Sequence, residues 1–126
     1  MEDYVTFEQA VKLRELGFDW ECFFPYTDGK IIINHPCPIN WNNHGYTGYE
    51  LISAPTLCQV QKWLREVKEI FVYSQITRQP ELKGKHYWEI TSKNGETLDC
   101  IPYGKLFDTY EQALSAGIDN ALELLK

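Results

Sequence analysis

Four side chains between residues 22 and 44 carry the groups from which a zinc centre is built: Cys22, His35, Cys37 and His44. Structural zinc sites present thiolates and imidazoles as pairs two to four residues apart. Here the one close pair is His35-x-Cys37, stiffened by Pro36, and the other ligands are spaced poorly. A strand cysteine at 22 and polar loop histidines account for the same residues, so neither a metal nor another cofactor is expected.

Nucleophilic chemistry is the second possibility, because a thiolate beside a histidine attacks carbonyl carbon. Cys58 is the best single thiol, since it falls in the first turn of a helix expected after Pro55, where the helix dipole lowers a thiol pKa. Packing is the plainer role for it. No Gly-x-Ser-x-Gly elbow, His-Glu-x-x-His pair, phosphate-cradling glycine loop or Walker lysine occurs. Asp28, Glu50, Glu89, Glu96 and Asp99 lie on or beside expected strands, and nothing in their order pairs two of them across a cleft. Enzyme activity is therefore not the favoured reading. A small hydrolase using Cys37 or Cys58 with a loop histidine is the alternative.

Nucleic-acid binding is suggested by element order alone. Pro55 to Lys126 reads α-β-β-β-α, which resembles double-stranded RNA-binding domains. That resemblance implies a basic start to the last helix, whereas Phe107-Asp108-Thr109-Tyr110-Glu111 is acidic, and the net charge is −6. Arg78, Lys83 and Lys85 form a basic loop that Glu81 interrupts. An RNA-binding module, with these three converging with Lys62 and Arg65, is kept as a second alternative, and a nucleic-acid partner is not expected.

Aromatic residues are the remaining signal, with four tryptophans and eight tyrosines. Trp63 is expected at the flank of its helix stripe and Trp41 in a polar loop. These two are the candidate partner-binding residues, since Trp and Tyr are enriched at protein contacts.

The elements that must position these groups follow from periodicity. Phe7 to about Leu16 is a helix with Thr6 as its cap and Gly17 as its stop. Cys22–Tyr26 and Lys30–Asn34 flank Thr27-Asp28-Gly29 as a hairpin. Residues 35–49, with two prolines, two glycines, three asparagines and no period, form a long loop of the kind that is often functional. Ser53 or Thr56 caps a second helix that runs to about Lys68, its buried stripe being Leu57, Val60, Leu64 and Val67. Ile70–Ile76, His86–Ser92 and Glu96–Ile101 alternate as strands, the last two joined at Asn94-Gly95. Tyr110, Ala113, Leu114, Gly117, Ile118, Ala121, Leu122 and Leu125 form the stripe of a third helix, with Thr109 and Gln112 as a capping box. The small residues Ala113, Gly117 and Ala121 imply close approach to a sheet.

The expected architecture is one α+β domain over residues 1–126, an antiparallel sheet with helices packed on it in the order α-ββ-α-βββ-α. The chain has 126 residues, 44% hydrophobic and 24% charged, values of an ordinary globular domain. No apolar run approaches the roughly 18 residues of a membrane span. The acidic N-terminus is unlike an export signal, so no membrane association and a cytoplasmic location with unpaired cysteines are expected.

Ala54-Pro55-Thr56-Leu57-Cys58-Gln59-Val60-Gln61-Lys62-Trp63-Leu64-Arg65-Glu66, followed by Phe107-Asp108-Thr109-Tyr110-Glu111-Gln112-Ala113-Leu114, resembles small uncharacterised proteins of phages, prophages and mobile elements from gut anaerobic bacteria. The last helix is also distantly similar to the C-terminal helix of the antitoxin half of HicAB-type pairs. The first resemblance implies origin and an α+β fold, with no site residues. The function expected is a small intracellular accessory protein acting by contact with a protein partner or by self-association.

Overall fold

The computed structural model describes residues 3–33, 36–43, 50–100 and 105–126. The fold is α+β, with three helices and two antiparallel sheets of three strands each. The chain forms two compact units, Met1–Thr56 with Lys126 and Leu57–Leu125.

In the N-terminal unit, α1 (Phe7–Glu15) opens on a complete capping box. Thr6 Oγ1 accepts from Gln9 N at 3.1 Å and Gln9 Oε1 accepts from Thr6 N at 2.9 Å, which satisfies two of the backbone donors a helix start leaves open. The helix ends as expected at Gly17, whose φ of 91° suits a residue without Cβ. Strand β1 (Pro25–Thr27) pairs with β2 (Lys30–Ile31) around Asp28-Gly29, both at positive φ as a two-residue hairpin turn requires.

The expected hairpin is shorter than its sequence pattern. Cys22 leaves it to bridge Ile39, and Asn34 lies outside the described residues. A third strand, β3 (Ile52–Ser53), pairs with β1 and gives the order β2-β1-β3. Ser53 is therefore a buried strand residue and not a helix cap. Helix α1 packs beside β3 at the edge of this sheet.

In the C-terminal unit, α2 (Leu57–Val67) buries Leu57, Val60, Trp63 and Leu64. The stripe is rotated from the expected one. Val67, at the last position of the helix, is exposed, and Trp63 takes the buried place. Glu69, at φ 59°, turns the chain into β4 (Ile70–Ile76). Strand β4 pairs along its whole length with β5 (His86–Ser92), and β5 pairs with β6 (Thr97–Cys100), in the order β4-β5-β6.

The β5–β6 turn is not the two-residue turn that Asn-Gly favours. Only Gly95 takes positive φ, Gly95 N bonds Ser92 O at 3.0 Å, and Ser92 N bonds Glu96 O at 2.8 Å, a longer loop ending in a left-handed glycine. Ile101, the expected end of this strand, lies outside the described residues.

Helix α3 (Tyr110–Leu124) starts at the expected cap, Thr109 Oγ1 accepting from Gln112 N at 3.1 Å. The returning bond falls one residue early, from Asp108 N to Gln112 Oε1. The helix lies on β4 and β5 through its small-residue stripe. A Cβ on Gly117 would stand 2.9 Å from Val72 Cγ1 and 3.0 Å from Trp88 Cβ. Leu114, Ile118 and Leu122 are buried beside it, each worth about 1.5 to 3 kcal/mol on transfer from water. Helix α2 packs on β4 and touches α3. Among the described residues no helix is long and apolar enough to cross a membrane.

Candidate functional site

Of the residues first considered for chemistry, the three cysteines are described. Cys22 is 3% exposed, and burial pushes its thiol up to about 12, against a smaller lowering by a hydrogen bond with Ser53. At neutral pH it is a protonated, inert thiol. Cys37 and Cys58 are exposed. His35 and His44 lie outside the described residues, among which no group of three or more His, Cys, Asp or Glu is placed to hold a metal. His86 is on β5, in the C-terminal unit, with its ring edge-on to Tyr110.

What the segment 36–43 does is tie the N-terminal unit together. Ile39 and Cys22 exchange backbone bonds at 2.9 and 3.3 Å, and Cys37 N bonds Phe23 O at 3.1 Å, so this segment runs beside residues 22–23 as an added strand-like partner. Trp41 begins a 3-10 turn (Trp41–Asn43) and is half-buried, its Nε1 donating to Cys22 O at 2.8 Å.

Asn42 is the hub of the turn. Its Nδ2 donates to Phe18 O at 2.9 Å, its Oδ1 accepts from Ser53 N at 2.9 Å, and its backbone N–H lies 3.2 Å from Ser53 Oγ. These bonds satisfy polar groups around a buried serine that short strands leave unpaired. Sequence reasoning missed Asn42, because an asparagine between Trp41 and Asn43 reads only as loop composition.

With its polar groups used internally, this segment leaves an apolar strip facing solvent. Phe23 is 58% exposed and Ile33 60%, and Ile32 and Cys37 are exposed as well. They are neighbours through the backbone: Ile32 N bonds Pro25 O at 2.9 Å while Cys37 N bonds Phe23 O, which brings the chain on both sides of residues 34–35 against 23–25. Trp41, on the carbonyl of Cys22, adjoins the same stretch.

A cleft of about 390 Å³ lies elsewhere on this unit, lined by Phe7, Tyr26, Asp28, Gly29, Glu50 and Ile52. Tyr26 donates from its hydroxyl to Val5 O at 2.6 Å and stands edge-on to Phe7 at 5.6 Å between ring centroids. Glu50 pairs with Arg14 at 2.7 Å.

The second expected contact residue is placed differently. Trp63 is 1% exposed, inside the core of the C-terminal unit, with Lys68 Nζ 5.5 Å from its ring centroid. Its expected position at the flank of the stripe is corrected, because the bulk of an indole completes the core better than Val67 does at the helix end. A partner reaches this ring only by opening α2. In the basic loop, Lys85 pairs with Asp108, which holds that carboxyl below its usual pKa, and Arg78 and Lys83 are exposed.

Comparison of the chain with protein-family models, with curated proteins and with solved structures gave no match in any of the three.

Proposed function

We propose that the protein is a small intracellular accessory protein that works by protein contact, through the exposed strip of the N-terminal unit, and not by catalysis. The observation that carries this reading is the strip itself. Phe23, Ile32, Ile33 and Cys37 are exposed, and the bonds Ile32 N to Pro25 O and Cys37 N to Phe23 O order the backbone that carries them. Neighbouring exposed apolar groups on an ordered backbone mark contact sites, and a pre-ordered surface loses little entropy on binding.

The lack of a Gly-x-Ser-x-Gly elbow or His-Glu-x-x-His pair in the sequence favours contact over the thiol-hydrolase alternative, in which Cys37 or Cys58 would act with a histidine. The acidic balance and the Lys85–Asp108 pair argue against the RNA-binding one. Origin in a phage or mobile element rests on the resemblance of residues 54–66 and 107–114, and a cytoplasmic location fits three exposed free thiols, which a reducing compartment preserves.

The test is a double substitution, Phe23→Asp with Ile33→Asp, compared with wild type by native mass spectrometry after purification from the native host. Wild type is expected to carry a stoichiometric protein partner or a second copy, and the double variant to run as a monomer with unchanged thermal stability. A monomeric wild type that holds a metal or a small molecule contradicts the reading.

A further inference from the structure

The cleft under α1 combines two features not used by the contact strip. Its walls are aromatic and aliphatic, from Phe7, Tyr26 and the buried Ile52, and its charged lining is acidic, from Asp28 and Glu50. Among the described residues no lysine or arginine lines it; Arg14 is the ion-pair partner of Glu50, and Lys30, next after Gly29, is exposed.

Both walls are pre-positioned. Tyr26 is pinned by its bond to Val5 O and by its edge-on contact with Phe7. Asp28 sits on a two-residue turn whose φ values, 51° and 75° at Asp28 and Gly29, set the direction in which its side chain leaves the backbone. The start of α1 is also near, and its partial positive charge opposes a cation. That end is blunted, because Gln9 N is already bonded by Thr6 and Glu8 lies in the first turn. Glu8 is felt inside the cleft: the Tyr26 phenol is pushed up first by burial and then by the negative charge of Glu8.

An aromatic ring face beside a carboxylate is chemistry that attracts an organic cation. An anion meets Asp28 and Glu50, and a neutral apolar ligand gains nothing from them. The volume of about 390 Å³ is at the small end of the range for ligand pockets, which suits one charged head and a short alkyl stem. We propose that this cleft binds a single alkylammonium group, its stem against Phe7 and Ile52, its charge between the Tyr26 ring and the Asp28 carboxylate. The group comes either from a lysine side chain of a protein or from a free primary amine. The proposal is independent of the contact strip and survives its failure.

The test is a ¹H–¹⁵N NMR titration of the full chain with n-butylammonium chloride and with N-acetyl-lysine-methylamide, against n-butanol and sodium chloride at matched concentration. Both ammonium probes are expected to shift the amides of Phe7, Tyr26, Asp28, Gly29 and Ile52, and the two controls are not. Tighter binding of the lysine derivative assigns the cleft to a protein side chain, and equal or tighter binding of butylammonium assigns it to a free amine.

Asp28→Asn keeps a residue that tolerates positive φ and removes the charge. It is expected to weaken both ammonium probes about tenfold, the loss of one close charge partner at about 1.4 kcal/mol per decade. Tyr26→Leu is a second variant, expected to weaken them while leaving Asp28 in place. Shifts of the same size with n-butanol, no shifts with either ammonium, or full affinity in Asp28→Asn overturns the proposal.

Discussion

The two units of this chain are stabilised by different physics. The strands of the C-terminal unit span seven, seven and four residues, and its helices seal them with Trp63, Leu64, Leu114, Ile118 and Leu122. The strands of the N-terminal unit span three, two and two residues. So little ladder leaves backbone groups without strand partners, and side chains take their place: Tyr26 on Val5, Trp41 on Cys22, Asn42 on Phe18 and Ser53. Among the described residues, large apolar side chains face solvent in both units, Phe23, Ile32 and Ile33 in the first and Val67, Ile76, Leu98, Tyr110 and Leu124 in the second.

The contrast is broken most forcefully from the apolar side. Trp63→Ala removes a fully buried indole and is expected to cost about 3 to 5 kcal/mol in urea unfolding, the range for large-to-small core changes. A loss below 1 kcal/mol there shows that α2 is not held by its apolar face. Asn42→Ala is the corresponding cut in the polar unit. It strands Ser53 N–H, in a residue 1% exposed, and the Phe18 carbonyl, for an expected loss of about 1 to 3 kcal/mol. An unchanged stability refutes the hub.

Gly117→Ala sets helix propensity against packing. Alanine gains about 1 kcal/mol in a helix interior, but its Cβ would stand 2.9 Å from Val72 Cγ1 and 3.0 Å from Trp88 Cβ. We expect a net loss of about 1 to 2 kcal/mol, and a stabilised variant shows that α3 stands further off the sheet.

Thiol chemistry sharpens the difference with a smaller effect. Cys37, Cys58 and Cys100 are exposed and Cys22 is buried, so Ellman's reagent should label three thiols in the native protein and four after denaturation. The Cys22 thiol is raised in the folded state from 9.0 to about 12. Its contribution is therefore complete below pH 9.0 and is lost as pH rises through that window, where the unfolded chain gives up its proton first. Tyr26, raised for the same leading reason, adds to the alkaline loss. A fourth native label removes the claim that Cys22 is sealed. Smallest of all, Phe23→Asp should leave stability within about 0.5 kcal/mol, as substitutions at exposed positions do, while removing a contact residue.

The same difference explains how much could be read in advance. Periodicity over many residues located α1, β4, β5 and α3 and their caps, because each repeat of an apolar position adds evidence. It placed Trp63 and Val67 less well, since both fit the edge of one stripe and only the three-dimensional core chooses between them. In the N-terminal unit a two-residue strand such as Ile52–Ser53 has no period to detect, and Ser53 reads equally as a helix cap. Within residues 35–49, of which 36–43 are described, composition announced a long irregular loop and singled out Trp41. It carried no sign that Asn42 would bind residues 24 and 11 positions away, because a side-chain bond to distant backbone leaves no local pattern.

The central claim is that the N-terminal unit offers the contact surface. Hydrogen–deuterium exchange of the chain alone and in the complex purified from its host tests it most directly. We predict new protection in residues 22–25, 31–33 and 36–39, with α2 and α3 unchanged. Protection that appears over α2 or α3, with 22–39 unaltered, contradicts the account.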